Sequence, residues 1–88
     1  MAVYSDEQIR FIKDNLKYIS LNAINVLKAI NEEAGINHTD IYDKAGLSKF
    51  VTDKCISAYL VSGMIERKED GTKRFYELTE DGKKLLSL

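Results

Sequence analysis

Apolar residues recur along the chain in two rhythms. Ile9, Ile12, Leu16 and Ile19 follow at intervals of three, four and three, which is the repeat of one helix face. Ser5-Asp6-Glu7-Gln8 precedes them with the spacing of a capping box, and Asp6 and Glu7 add negative charge at the positive end of the helix dipole. Phe11 and Tyr18 broaden the apolar surface, so this helix either packs on its own domain or meets a second copy. Ser20 caps a second predicted helix over residues 21–34, which Gly35 ends. Ala23, Val26, Leu27, Ile30 and Ala34 form its main stripe, with Leu21 and Ile24 beside it. That is more apolar width than one neighbour covers, which marks it as a scaffold packed from two directions.

The connection Ile36-Asn37-His38 reads as a loop or a short strand. Thr39 then caps a brief helix over 40–45, with Ile41 and Ala45 inward. After a tight turn at Gly46, Ser48 opens and Gly63 closes a helix over 48–62. Thr52, Cys55, Ile56 and Tyr59 make its inward face. Phe50 is read as closing the core at the helix start, with an outward position as the alternative. Leu60 and Val61 cover the base of the next hairpin or a partner chain. The rhythm then changes to two. Residues 64–68 and 73–78 are strand-length runs joined at Glu69-Asp70-Gly71-Thr72, where Asp70-Gly71 supplies the positive φ of a hairpin turn. In the second run Arg74, Tyr76 and Leu78 share one face while Phe75 and Glu77 share the other. Thr79 opens a last helix over 80–88.

Several of these residues carry a resemblance. Gly46-Leu47-Ser48 looks like the turn of a helix-turn-helix, and Gly63-Met64-Ile65-Glu66-Arg67 like the exit from its recognition helix. Asp70-Gly71-Thr72-Lys73-Arg74 looks like a wing, and Tyr76-Glu77-Leu78-Thr79-Glu80-Asp81-Gly82 like the entry to a final helix. With the helices before it, residues 20–86 resemble the winged helix-turn-helix DNA-binding regulators, among them MarR-like and PadR-like regulators and small winged-helix proteins of archaea and their viruses. The implied fold is mainly α with a small β-hairpin (α+β). It has a three-helix core plus wing, an extra N-terminal helix (1–19) and a short C-terminal helix, all in one domain over 1–88. The last helix is shorter than the one that joins MarR-like subunits, which leaves the N-terminal helix as the main assembly element.

Composition narrows the function. A charged fraction of 31% and a hydrophobic fraction of 44% describe an ordinary globular chain. The single cysteine excludes an intrachain disulfide and any multi-cysteine metal site. No apolar run has the length of a membrane span, and the N-terminus lacks signal-peptide order, so a cytoplasmic protein without membrane contact is expected. The net charge of −1 is unevenly spread. Residues 44–74 hold seven basic and four acidic side chains, a balance of +3, and the rest hold six and ten, a balance of −4.

An enzyme is the weakest reading, because the glycines are scattered singly rather than clustered in a phosphate loop and the one histidine has no nucleophile beside it. No cofactor or metal is expected. His38 reads as structural or solvated, and Cys55 as a small buried hydrophobe. The resemblance implies sequence-specific binding of double-stranded DNA, with helix 48–62 in the major groove and the wing on the backbone or minor groove. The candidate DNA-binding residues are Ser48, Lys49, Thr52, Asp53, Ser57, Lys68, Lys73 and Arg74. A homodimer joined through Ile9, Ile12, Leu16 and Ile19 is expected, and the sequence names no small-molecule effector. The competing reading is a winged-helix adaptor that docks a protein and not DNA.

Overall fold

The N-terminal capping box forms as the sequence implies. Ser5 Oγ accepts from the Gln8 amide, and the Gln8 side chain accepts from the Ser5 amide. It opens the first element of a computed structural model that describes residues 2–88. Among these residues the order is α1 (Asp6–Asn15), a 3-10 turn (Leu16–Tyr18), α2 (Ile24–Glu32), α3 (His38–Ala45), α4 (Lys49–Ser62), β1 (Ile65–Asp70), β2 (Lys73–Leu78) and α5 (Glu80–Ser87). Helices α1, α2 and α5 surround one core with the α3–α4 pair, and the antiparallel hairpin projects from its side.

Several boundaries differ from the sequence expectation. The N-terminal helix gives way to a 3-10 turn after Asn15, and the first strand runs to Asp70, so the hairpin loop is Gly71-Thr72 and Asp70 does not take positive φ. Three further differences have a local reason. Helix α2 starts at Ile24 and not at residue 21, because Ser20 Oγ accepts from the Asn22 amide and holds residues 20–23 in successive turns. Leu21, placed on the apolar surface from sequence, is 86% exposed. The same helix stops at Glu32, and Ala34 is exposed rather than part of the stripe. Two consecutive glutamates at the negative end of a helix dipole disfavour continuation. Helix α3 begins two residues early, because Asn37 and not Thr39 is its cap, accepting from the Asp40 amide at 2.9 Å. No strand forms at 36–38, and Ile36 is buried in the core.

The α3–α4 turn is made by Gly46 at φ 68°, and Asn25 Nδ2 donates to the Ala45 carbonyl at 3.4 Å, tying α2 to the end of α3. Helix α4 buries Thr52, Cys55, Ile56 and Tyr59, as its spacing predicts. Tyr59 is fully enclosed, with its hydroxyl donating 2.8 Å to the Ala23 carbonyl at the start of α2. The wing pairs Ile65 with Leu78 and Asp70 with Lys73, around a two-residue loop whose first position is Gly71 at φ 65°. Only its base is buried. Ile65 and Tyr76 reach the core, and residues 66–74 project into solvent.

The expected dimer stripe is divided by this packing. Ile9 is buried in the chain's own core and closed to a partner, which corrects its assignment as an interface residue, and Leu16 is buried too but for an edge at the floor of a surface groove. Ile12 and Ile19 are half-buried at its edge. The N-terminal segment is further anchored by Asp81, a buried carboxylate that accepts from the Val3 amide at 2.9 Å and the Tyr4 amide at 3.2 Å. From sequence alone Asp81 reads as no more than a helix-end charge. Lys84 adds an ion pair to Asp6 at 2.7 Å, which holds the Asp6 carboxyl below the usual range.

Where β2 meets α5, Gly82 packs flat against the main chain of Met64. A methyl group at Gly82 would run into the Met64 carbonyl oxygen. Alanine in place of glycine inside a helix ordinarily stabilises by about 0.5–1 kcal/mol. Gly82→Ala is expected to reverse that sign and cost about 1–3 kcal/mol through overpacking. Thermal unfolding checks it: a lower melting temperature is expected, and a raised one would contradict this packing.

Candidate nucleic-acid interface

Helical spacing sorts α4 into two faces. Opposite the buried stripe, Phe50, Lys54, Ser57 and Val61 recur at intervals of four, three and four, with Lys49 beside them at the first turn. Ser48 caps the helix by accepting from the Val51 amide at 3.2 Å, so its hydroxyl already serves the fold. Lys49 and Ser57 are exposed, as a role in binding requires.

Two expectations on this helix are corrected. Thr52 is fully buried, and its hydroxyl has no hydrogen-bond partner, so it faces the core and not a ligand. Phe50 was expected in the core but is 68% exposed, with the Lys54 ammonium 4.5 Å from its ring centre. The signal was present in the sequence. Phe50 lies on the wheel with Lys54 and Ser57, not with Cys55, Ile56 and Tyr59. Lys54 is absent from the candidate site residues, although the same spacing places it there.

Asp53 lies within the outward face but turns toward α3. His38 Nε2 stands 2.6 Å from its Oδ1, and the Tyr42 hydroxyl donates to the same oxygen at 3.0 Å. The His38 bond holds the Asp53 carboxyl below the ordinary carboxylate range, with Tyr42 adding to the effect. Desolvation, followed by the bond to Asp53, raises the Tyr42 phenol. Across the cluster His38 Nδ1 is 3.1 Å from the Tyr76 hydroxyl on β2. This bridge sets the base of the wing beside the first two turns of α4.

The wing carries Arg67, Lys68, Lys73 and Arg74, all exposed. Lys68 pairs with Glu66 at 3.0 Å, which raises its ammonium pKa, and Arg74 Nε stands 3.7 Å from Glu69 across the hairpin. Lys73 sits at the loop and makes no ion pair among the described residues. Lys44, counted with the basic segment in the sequence, is instead directed at Glu32 and Glu33 at 3.7 Å each, away from this surface. The outward face of α4 thus carries Lys49, Lys54 and one exposed aromatic ring, and residues 66–74 of the hairpin set four cations among three carboxylates, Glu66, Glu69 and Asp70. The described residues hold no group of three or more His, Cys, Asp or Glu side chains that could bind a metal, and no helix is long and apolar enough to cross a membrane.

No protein-family model and no curated protein matches the chain. Solved structures do. TubR from Bacillus thuringiensis serovar israelensis pBtoxis, bound to 24 bp of tubC, superposes with a TM-score of 0.75 over 99% of this chain and 94% of its own, at 21% identity. A MarR family transcription regulator gives 0.69 at 12% identity over 92% of this chain. The multiple antibiotic-resistance repressor of Listeria monocytogenes gives 0.66 at 13% identity over 88%. The chain spans 57% and 55% of the length of these two. At such identities the likeness shows the fold: this is a winged helix-turn-helix.

The unpartnered Thr52 hydroxyl gives a direct test of the α4 orientation. Thr52→Val replaces it with a methyl of similar shape and is expected to raise stability by about 1 kcal/mol, since a buried unmade hydrogen bond costs about 1–3 kcal/mol. For a domain of this size that is a rise in melting temperature of about 4–8 °C. A fall would mean that the hydroxyl is bonded.

Proposed function

We propose that this chain binds duplex DNA sequence-specifically, as a small transcriptional regulator acting as a homodimer. The observation that carries the reading is the outward face of α4. A helix committed to the fold on one side leaves Lys49, Phe50, Lys54 and Ser57 uncovered on the other, beside a hairpin that carries Lys73 and Arg74 after its loop. A helix of this width fits the major groove, where a lysine can meet guanine acceptors and an apolar ring can meet a thymine methyl. Lys73 and Arg74 suit the flanking backbone or minor groove, where contacts position the domain without reading sequence. The likeness to TubR, whose structure includes DNA, supports the same reading. An acidic chain has little nonspecific affinity to fall back on, so these few cations set how tightly the domain holds.

Selection of bound duplexes from a random pool tests this reading. Recovery of a shared sequence is expected, and failure to enrich any duplex at low salt would favour the protein-docking alternative. On the recovered site, Lys73→Glu with Arg74→Glu is expected to weaken binding to all duplexes alike. It should also lower the salt slope by about one unit for each phosphate that the variant no longer neutralises. An unchanged slope in the folded double variant would remove the wing from the interface.

The dimer is proposed on the surface that the packing leaves open. Phe11 is 70% exposed beside half-buried Ile12 and Ile19, over a shallow groove of about 300 Å³ that Ala58 and Ser62 of α4 complete. A two-fold pairing there asks for an inverted-repeat site with recognition helices one turn of DNA, roughly 34–36 Å, apart. Phe11→Glu changes an exposed position and leaves the core intact. It is expected to yield a folded monomer with reduced affinity for the full site. Wild-type protein sedimenting as a monomer while it saturates DNA would exclude the dimer.

A further inference from the structure

The only histidine of the chain occupies a junction that duplex binding by itself leaves without a role. His38 is the first residue of α3. Its two ring nitrogens reach two other elements, Asp53 on α4 at 2.6 Å and Tyr76 on β2 at 3.1 Å. Its ring meets those of Tyr42 and Tyr76 edge-on, with centroids 5.3 Å and 5.7 Å away. A single imidazole thereby joins both helices of the helix-turn-helix to the wing.

The geometry suits two protonation states. In the neutral ring Nε2–H donates to Asp53, and the Tyr76 hydroxyl donates to Nδ1. In the cationic ring both nitrogens donate, one to the carboxylate and one to the phenolic oxygen. The bridge is kept in both, and only its charge changes. The groups facing it are Asp53 from α4, Tyr76 from β2 and Tyr42 from its own helix. Lys49, one turn before Asp53, acts on the same carboxylate, and Arg67 stands opposite Tyr76 across the hairpin. The side chains of His38 and Asp53 are 40% and 44% exposed, so protons exchange freely with solvent.

We propose that His38 is a positioning residue that fixes the wing against the recognition helix and, on taking a proton, neutralises the Asp53 carboxylate at the DNA-facing surface. This rests on the duplex-binding reading above. With His38 neutral, Asp53 keeps a full negative charge within the face that α4 would present to phosphates. With His38 cationic, that charge is cancelled. The cationic form therefore favours bound DNA, and affinity falls as rising pH removes the proton. Burial pushes the Cys55 thiol up. The terminal amine is common to every variant and cancels in comparison.

The test measures affinity for a selected duplex from about pH 5.5 to about pH 8.5, at fixed ionic strength, for wild type, His38→Gln and His38→Ala. Wild type is expected to lose about two- to fivefold across the range, the scale of one partly exposed charge interaction. His38→Gln keeps a donor for Asp53 but takes no proton, so its profile should stay flat near the alkaline wild-type value. His38→Ala breaks the bridge and should bind more weakly at every pH. Wild-type and glutamine profiles that run parallel would overturn the proposal. If wild type binds no duplex at any pH, the duplex-binding reading itself fails, and free-protein NMR then decides the bridge. In that case the amides of Asp53 and Tyr76 should shift together through the range in wild type and hold still in His38→Gln. Amides that do not move in wild type would overturn the bridge as well.

Discussion

The carbonyl of Met64 is the point on which the winged portion depends. It accepts from the Thr79 amide at 3.0 Å, while the Met64 amide donates to the Tyr59 carbonyl at 2.9 Å. One residue therefore ends α4, begins the hairpin and receives the chain as the hairpin returns. Thr79 also donates to the Gly63 carbonyl at 2.6 Å and caps α5 by accepting from the Gly82 amide at 3.1 Å. Met64 lies at a buried junction, where an unpaired main-chain group is costly, and the Thr79 amide pairs its carbonyl. The close approach of Gly82 follows from the same constraint.

From that fixed base the remaining geometry can be traced. Tyr59 carries the position of α4 through to the start of α2, and Asp81 carries the position of α5 to the N-terminal segment. The hairpin is buried at Ile65 and Tyr76 and exposed where its cations lie. Its internal pairs, Lys68 with Glu66 and Arg74 with Glu69, offset part of the positive charge. The surface that results is only moderately basic, which suits a binder whose affinity comes from a few placed contacts and not from a broad field.

Much of this was legible in the sequence because the signals were local. The Ser48 and Gly63 caps, the hairpin at Gly71 and the inward set Thr52, Cys55, Ile56 and Tyr59 each follow from spacing and backbone chemistry, and each stands as expected. What was not legible depends on partners distant in the chain. Nothing near Asp81 foretells that residues 3 and 4 will bond to it, and nothing near His38 foretells Asp53 and Tyr76. The start of α2 differs from the sequence expectation because Ser20 has two local uses, helix cap and turn, and tertiary packing through Ala23 favours the turn. The N-terminal stripe divides between core and surface for a different reason. Periodicity shows that a face is apolar but not whether its own domain covers it, and here Ile9 and Leu16 are covered while Phe11 is not.

The central claim is that the outward face of α4 and the wing tip together hold duplex DNA. Titration of isotope-labelled protein with a short duplex, followed by amide chemical shifts, reads that surface residue by residue. The account predicts the largest shifts at Lys49, Phe50, Lys54 and Ser57 and at the hairpin loop from Gly71 to Arg74, with α5 nearly unmoved. Shifts confined to α1 and α5, or none at all at low salt, would contradict it.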